Sequence, residues 1–159
     1  MPKSKRLERK TRSNNKKLST GKSDPDEVSA EWWERRRQDI ILELSKDAAF
    51  YQTITFHFGR AAIPGSMTLE TYHNDFPMPL AIMWYTLSGL NQIQINNLYT
   101  FEPLRRCGLM AATQKFLLRC FPTRSLVTCC GTELGKPWMF ATGWKKTAAG
   151  YEHPANQPT

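Results

Sequence analysis

Residues 80–101 constrain the fold more than any other stretch of this chain. Residues 80–87 read LAIMWYTL, an apolar run long enough for a buried central strand. Ser88-Gly89-Leu90-Asn91 supplies a turn that brings the chain back as a hairpin. In the return strand, residues 92–101, Ile93 and Ile95 alternate with polar residues, but the next apolar position is Leu98, with Thr100 on its phase. The alternation slips by one at Asn96-Asn97. An extra residue that shifts the following side chains to the other phase is what a β-bulge does.

A buried central strand needs covering layers, and the flanking sequence offers them. Asp24-Pro25-Asp26-Glu27 combines an N-cap, a proline at the first helical position and a capping-box acid. Val28, Trp33, Ile40, Ile41, Leu44 and Ala48 then share one helical face, which predicts a helix ending around Ala49. Residues 52–58 alternate as a half-buried strand, Ile63-Pro64-Gly65-Ser66 turns, and residues 67–72 read as a second strand. Beyond the hairpin, Leu109, Thr113, Phe116, Leu117 and Cys120 mark a helix that Pro122 stops, and residues 125–130 (SLVTCC) form a short buried strand. Gly135-Lys136-Pro137 opens a short helix over residues 138–142, Gly143 closes it in a left-handed cap, and residues 144–147 are extended. The order of elements predicts an α/β (α+β) fold, a mixed β-sheet with helices on both faces.

At 159 residues the chain has the length of one domain. Its charge is unevenly placed. Residues 1–22 hold nine Lys/Arg against one acid, Glu8, whereas the rest of the chain holds thirteen of each sign. The expected organisation is a basic disordered tail over residues 1–23, a single domain over 24–153 and a C-terminal tail over 154–159. Such a basic tail has the charge to neutralise phosphates of DNA or RNA, without reading their sequence. No apolar run long enough for a membrane span and no secretory leader is present, so the expected location is cytoplasmic. Cys107, Cys120, Cys129 and Cys130 form no C-x-x-C pair, and His57, His73 and His153 are scattered, so no metal site is expected.

The stretch richest in chemistry follows the slipped strand. Arg105-Arg106-Cys107-Gly108-Leu109-Met110-Ala111 opens a helix, whose first backbone N–H groups lack intrahelical acceptors and sit at the positive end of the helix dipole. Gly108 lets a ligand approach the backbone, and the two arginines match phosphate. Taken alone, the stretch reads either as an anion cradle or as an ordinary loop-to-helix junction.

Slipped strand, cradle, amphipathic helix, short strand, then an aromatic-rich helix ending in Gly143-Trp144: over residues 80–146 this order resembles the GNAT acyltransferase superfamily. The resemblance implies a GNAT-like sheet splayed at the bulged strand. It also implies acetyl-CoA, or another acyl-CoA, as co-substrate, held through its pyrophosphate by Arg105, Arg106, Cys107, Gly108, Leu109, Met110 and Ala111. The pantetheine would enter beside Leu98, Tyr99 and Thr100, where a backbone N–H of Tyr99 or Thr100 polarises the thioester carbonyl. Three features depart from the family pattern, the first being the spacing from Pro103 to Arg105, one residue shorter than usual. Met110 stands where a second small residue is usual, so its side chain must turn into the core. Met139 stands where the family commonly has the tyrosine that protonates the departing thiolate, leaving Tyr99, Tyr85 and Tyr151 as substitutes. For the base that neutralises the acceptor amine, the candidates are Glu70, His73 and Asp75. Cys107 is expected to be a bystander, and Trp32, Trp33 and Trp84 to pack. The implied activity is N-acyl transfer to an unknown amine acceptor, with a nucleic-acid-modifying enzyme or an inactive nucleic-acid-binding protein of the same fold as alternatives.

Overall fold

In the computed structural model, which describes residues 29–46, 50–129, 131–133 and 135–156, the hairpin lies at the centre of a mixed sheet. Its strands are β1 (Ile54–Arg60), β2 (Met67–His73), β3 (Ala81–Ser88), β4 (Gln92–Thr100), β5 (Ser125–Thr128), β6 (Lys145–Thr147) and β7 (Gly150–His153), in the spatial order β1-β2-β3-β4-β5-β7-β6. β1 to β4 are antiparallel, β5 is parallel to β4, and β7 runs antiparallel to both β5 and β6. Three helices accompany them: α1 (Ala30–Leu44), α2 (Leu109–Cys120) and α3 (Lys136–Ala141).

The bulge is where the sequence puts it. Trp84 faces Asn97 and the next β3 residue, Tyr85, faces Ile95, so Asn96 has no residue opposite. Because Met83 and Ala81 then face Leu98 and Thr100, all four of Ile93, Ile95, Leu98 and Thr100 point to one side of the sheet. That side also carries Phe56 of β1, Leu69 and Thr71 of β2 and Leu126 of β5, and it holds the core.

α2 covers this face. Leu109, Thr113 and Leu117, one turn apart, are buried, and each fully buried leucine contributes about 1.5–3 kcal/mol. Phe116 stacks on Phe56 with ring centres 4.4 Å apart. The Thr113 hydroxyl donates to Leu109 O at 2.8 Å and lies 2.7 Å from the Thr71 hydroxyl, which makes Thr71 the donor between them and leaves neither buried hydroxyl unpaired. α3 is tied to α2 through Gln114, which accepts from Trp144 Nε1 at 2.8 Å and donates to Thr142 O at 3.4 Å. Thus α2 and α3 share one side. The opposite side of β1–β4 presents Glu70, Tyr72, Trp84 and Tyr99, all partly exposed.

α1 is shorter than its sequence pattern suggests. Ser29 caps it, accepting from Trp32 N, while the expected start at Asp24-Pro25 lies outside the described residues. It ends at Leu44, not near Ala49, because the Ser45 hydroxyl turns back onto Leu42 O and competes with helix continuation. Ile41, expected on the buried face, is 37% exposed. Trp33 stacks on Phe76 at 5.5 Å, which confirms a packing role, and Arg37 Nη1 donates to Pro103 O (3.0 Å) and Arg105 O (2.7 Å), anchoring the loop that leads to α2. β1 starts at Ile54 because Thr53 N and its hydroxyl are engaged by the Glu43 carboxylate instead of a ladder. β5 stops at Thr128, short of the expected residue 130, which is outside the described residues. The short helix runs Lys136–Ala141, and Gly143 has the expected left-handed φ of 93°. β7 was not expected. Among the described residues no helix is long and apolar enough to cross a membrane.

Candidate functional site

The site begins where β4 and β5 part. Their parallel pairing comprises Gln92–Ser125, Ile93–Leu126 and Gln94–Val127, and then stops. The bulge at Asn96 follows at once, bending β4 while β5 ends at Thr128. From Leu98 to Thr100 the β4 edge away from β3 therefore runs beside a gap. Phe101 N donates to Leu80 O at 2.8 Å, so the alternation of an antiparallel ladder turns the Tyr99 N–H toward β3 and the Thr100 N–H and C=O toward the gap. The Leu98 N–H is taken by its neighbour's side chain, Asn97 Oδ1, at 2.8 Å. Thr100 O accepts from Arg105 Nε at 3.3 Å, which brings a guanidinium to the rim of the gap. Of the backbone N–H groups of Tyr99 and Thr100, that of Thr100 is the one facing the gap.

The chain then passes through a single 3-10 turn, Glu102–Leu104, into the cradle. Arg106 and Gly108 both have positive φ, 64° and 91°. Gly108 is the N-cap of α2, and its O accepts the first helical bond, from Ala112 N at 2.9 Å, which leaves the N–H groups of Leu109, Met110 and Ala111 at the helix mouth. A side chain added at Gly108 would meet only Leu44, at 3.7 Å, so the space in front of the cradle is open. Met110 is 9% exposed, its side chain turned inward as the resemblance requires, and Leu109 is buried. Arg105 and Arg106 are exposed. Cys107 is buried, and burial pushes its thiol up, so it supplies no thiolate at neutral pH. A cleft of about 490 Å³ runs from Gly108 along α2, past Ala111 and Lys115, with Leu44 of α1 and His153 of β7 on its walls.

The proposed acid and base residues do not form one cluster. Glu70 and His73 are three apart on β2 and so point to opposite sides of the sheet. His73, 4% exposed, is packed against Phe76 on the helix side, and burial pulls its imidazole pKa below the usual value, against the pull of Asp75. Its Nδ1 accepts from Asp75 N at 3.1 Å, so His73 is a structural residue. Asp75 is held by Arg36 at 2.9 Å. Tyr85, 1% exposed, is core, and burial raises its hydroxyl. Tyr151 sits in β7 against Phe140. Met139 is buried and offers no proton.

Glu70 and Tyr99 do share a surface. Cross-strand register places His57, Glu70, Ile82 and Tyr99 in one row over β1–β4, on the side away from α2. The Glu70 carboxylate accepts from Tyr72 Oη at 2.6 Å and Thr68 Oγ1 at 3.2 Å, and the Glu70 bond holds the Tyr72 hydroxyl above its usual pKa. Gly59 makes room for this arrangement, since a Cβ there would fall 2.6 Å from Thr68 Oγ1. Tyr99 is 41% exposed at the end of the row nearest the gap. Two strand spacings, about 10 Å, separate Glu70 from β4, so Glu70 does not reach Thr100 to take a proton there. Tyr72, Thr68 and His57 were missed in the sequence reading. The signal was present: they occupy the polar phase of two successive strands, alternating with Phe56, Leu69 and Thr71.

No protein-family model matches the sequence, and no curated protein matches it. Among solved structures, the chain resembles a GNAT family acetyltransferase from Elizabethkingia anophelis with acetyl-CoA bound, at 13% identity and a TM-score of 0.47, over 60% of this chain and 78% of that one. A provisionally assigned acetyltransferase from Exiguobacterium sp. 255-15 gives 19% identity and a TM-score of 0.45, over 58% and 65%. A provisionally assigned GNAT family acetyltransferase from Bacteroides thetaiotaomicron gives 14% and 0.42, over 79% and 82%.

Proposed function

We propose that this chain is an acyl-CoA-dependent N-acyltransferase of GNAT type, moving an acetyl or related acyl group from CoA to an amine. The observation that carries the reading is the coincidence of two features at one place. β4 bulges at Asn96 and loses β5 after Gln94, and the same strand runs directly into an open, glycine-capped helix mouth flanked by two arginines. The thioester brings the activated acyl group. Arg105, Arg106 and the N–H groups of Leu109, Met110 and Ala111 bind the pyrophosphate, Gly108 gives it access, and Leu98 and Thr100 line the pantetheine path. The Thr100 N–H donates to the carbonyl oxygen as it gains negative charge, and a preorganised donor of this kind is worth about 2.7–4 kcal/mol. In this reading Tyr99, exposed at the rim, protonates the departing sulfur.

The test is turnover: acetyl-CoA is incubated with the protein and a set of primary amines, and released thiol is followed. Thiol release that depends on both amine and protein supports the reading. Binding of acetyl-CoA with no turnover toward any amine favours a second reading, a binding protein of the same architecture with residues 1–22 contacting nucleic acid. The burial of Met139 at the usual tyrosine position is the observation behind that alternative.

A further inference from the structure

The side of the sheet away from α2 has a chemistry of its own. From β1 to β4 its strand residues include no Lys or Arg, and Glu70 is the sole carboxylate among them. The same face carries three aromatic side chains: Tyr72, bonded to Glu70, Trp84 on β3, and Tyr99 on β4, two strand spacings from Glu70. One carboxylate among aromatic faces attracts cations, by charge and by the ring quadrupole. The chain carries its own cationic partner. Residues 1–22 contain nine Lys/Arg, six of them lysines: Lys3, Lys5, Lys10, Lys16, Lys17 and Lys22.

Reach is sufficient. The described chain starts at Ser29, the cap of α1, and Trp33 in the next turn lies 5.4 Å from Phe101, two residues beyond Tyr99. Lys22 is seven residues before Ser29, an extended span of roughly 23–25 Å, and Lys16 and Lys17 reach farther. The face is about 14 Å wide from β1 to β4.

Resting on the acyltransfer reading above, we propose that the N-terminal segment docks on this face and that one or more of its lysines is the acceptor, so that the protein acylates itself in cis. The lysine side chain, having lost its proton to solvent, presents a neutral nitrogen at the gap. Its nitrogen forms a bond to the thioester carbonyl carbon, the carbon–sulfur bond breaks, and the sulfur leaves with the electron pair and is protonated to CoA thiol. The nitrogen gives up a second proton, and the product is an amide. Each transfer removes one positive charge from the segment, so its attraction to the face weakens and the reaction limits itself.

The experiment uses the full chain with acetyl-CoA, followed by intact mass and peptide mapping, beside a urea-unfolded control. The expected result is acetyl groups on lysines within residues 1–22, with a rate constant unchanged over a wide range of protein concentration. Glu70→Gln should slow it about three- to tenfold without weakening the thermal shift produced by acetyl-CoA. Replacing the six lysines by arginine should abolish it while preserving charge. Labelling spread equally over Lys145, Lys146 and the tail, or equal to the unfolded control, overturns the proposal, as does a rate that scales with protein concentration. If acetyl-CoA gives no thermal shift, the acyltransfer reading itself fails. If it binds and a free amine is acetylated while the tail is not, only this inference falls.

Discussion

Gly108 offers a test in which backbone strain and ligand access separate. Its φ of 91° and ψ of 2° belong to the left-handed region, where a residue with a Cβ costs roughly 1–2 kcal/mol. A Cβ itself would meet only Leu44 Cδ1, at the ordinary contact distance of 3.7 Å, so no steric cost is added. Gly108→Ala should therefore lower Tm by roughly 2–8 °C, taking about 2–4 °C per kcal/mol for a chain of this size. Gly108→Trp carries the same backbone cost and also fills the space before the helix mouth. In the parent, acetyl-CoA at about 100 times its Kd should add about 2.7 kcal/mol, or roughly 5–11 °C. The alanine variant should keep most of that shift and the tryptophan variant should lose it, both measured by differential scanning fluorimetry against their own unliganded baselines. If both variants keep the shift, the cradle assignment is wrong. If the alanine variant melts with the parent, the left-handed cap is wrong.

Deleting Asn96 should regularise β4 without turning any side chain over, because Ile95 and Asn97 already face consecutive residues of β3. The loss of its bond to Thr86 Oγ1 should cost only about 1 kcal/mol in denaturant titration, yet the acetyl-CoA thermal shift should vanish as the gap closes. Arg37→Met removes the donor to Pro103 O and Arg105 O and should destabilise by about 1–3 kcal/mol, with acetyl-CoA affinity falling as the cradle loop loosens. His73 is buried neutral with its pKa lowered, so the unfolded chain binds the extra proton first. Stability should be full above about pH 6.5 and fall as pH drops below it toward the depressed native pKa, and His73→Gln should flatten that dependence in urea titrations between pH 7 and about 5.

The central hairpin was legible because apolar residues mark a face. Ile93, Ile95 and Leu98 report the bulge directly, since a strand with one covered side cannot carry them on two. α2 was equally legible, with Gly108 before it and Pro122 after it. α1 was not, because its ends depend on Ser29 and Ser45, whose side chains compete for backbone partners that composition does not reveal. β7 spans four residues and has no neighbour in sequence to pair with except β6, so no local pattern announces it. The residues at the mouth of α2 could be named from the sequence, but the acid and base candidates could not be sorted, because sorting needs a side of the sheet. Strand parity alone already divides Glu70 from His73. Which of the two meets solvent depends on where α2 packs, and that is tertiary information.

The most direct test of the acyl-CoA site is a backbone amide NMR titration of the full-length protein with acetyl-CoA. The amides of Thr100, Gly108, Leu109, Met110 and Ala111 should shift together, with one dissociation constant, while those of β1 stay in place. Saturable binding that leaves these five amides unmoved, or no binding at millimolar acetyl-CoA, would contradict the assignment.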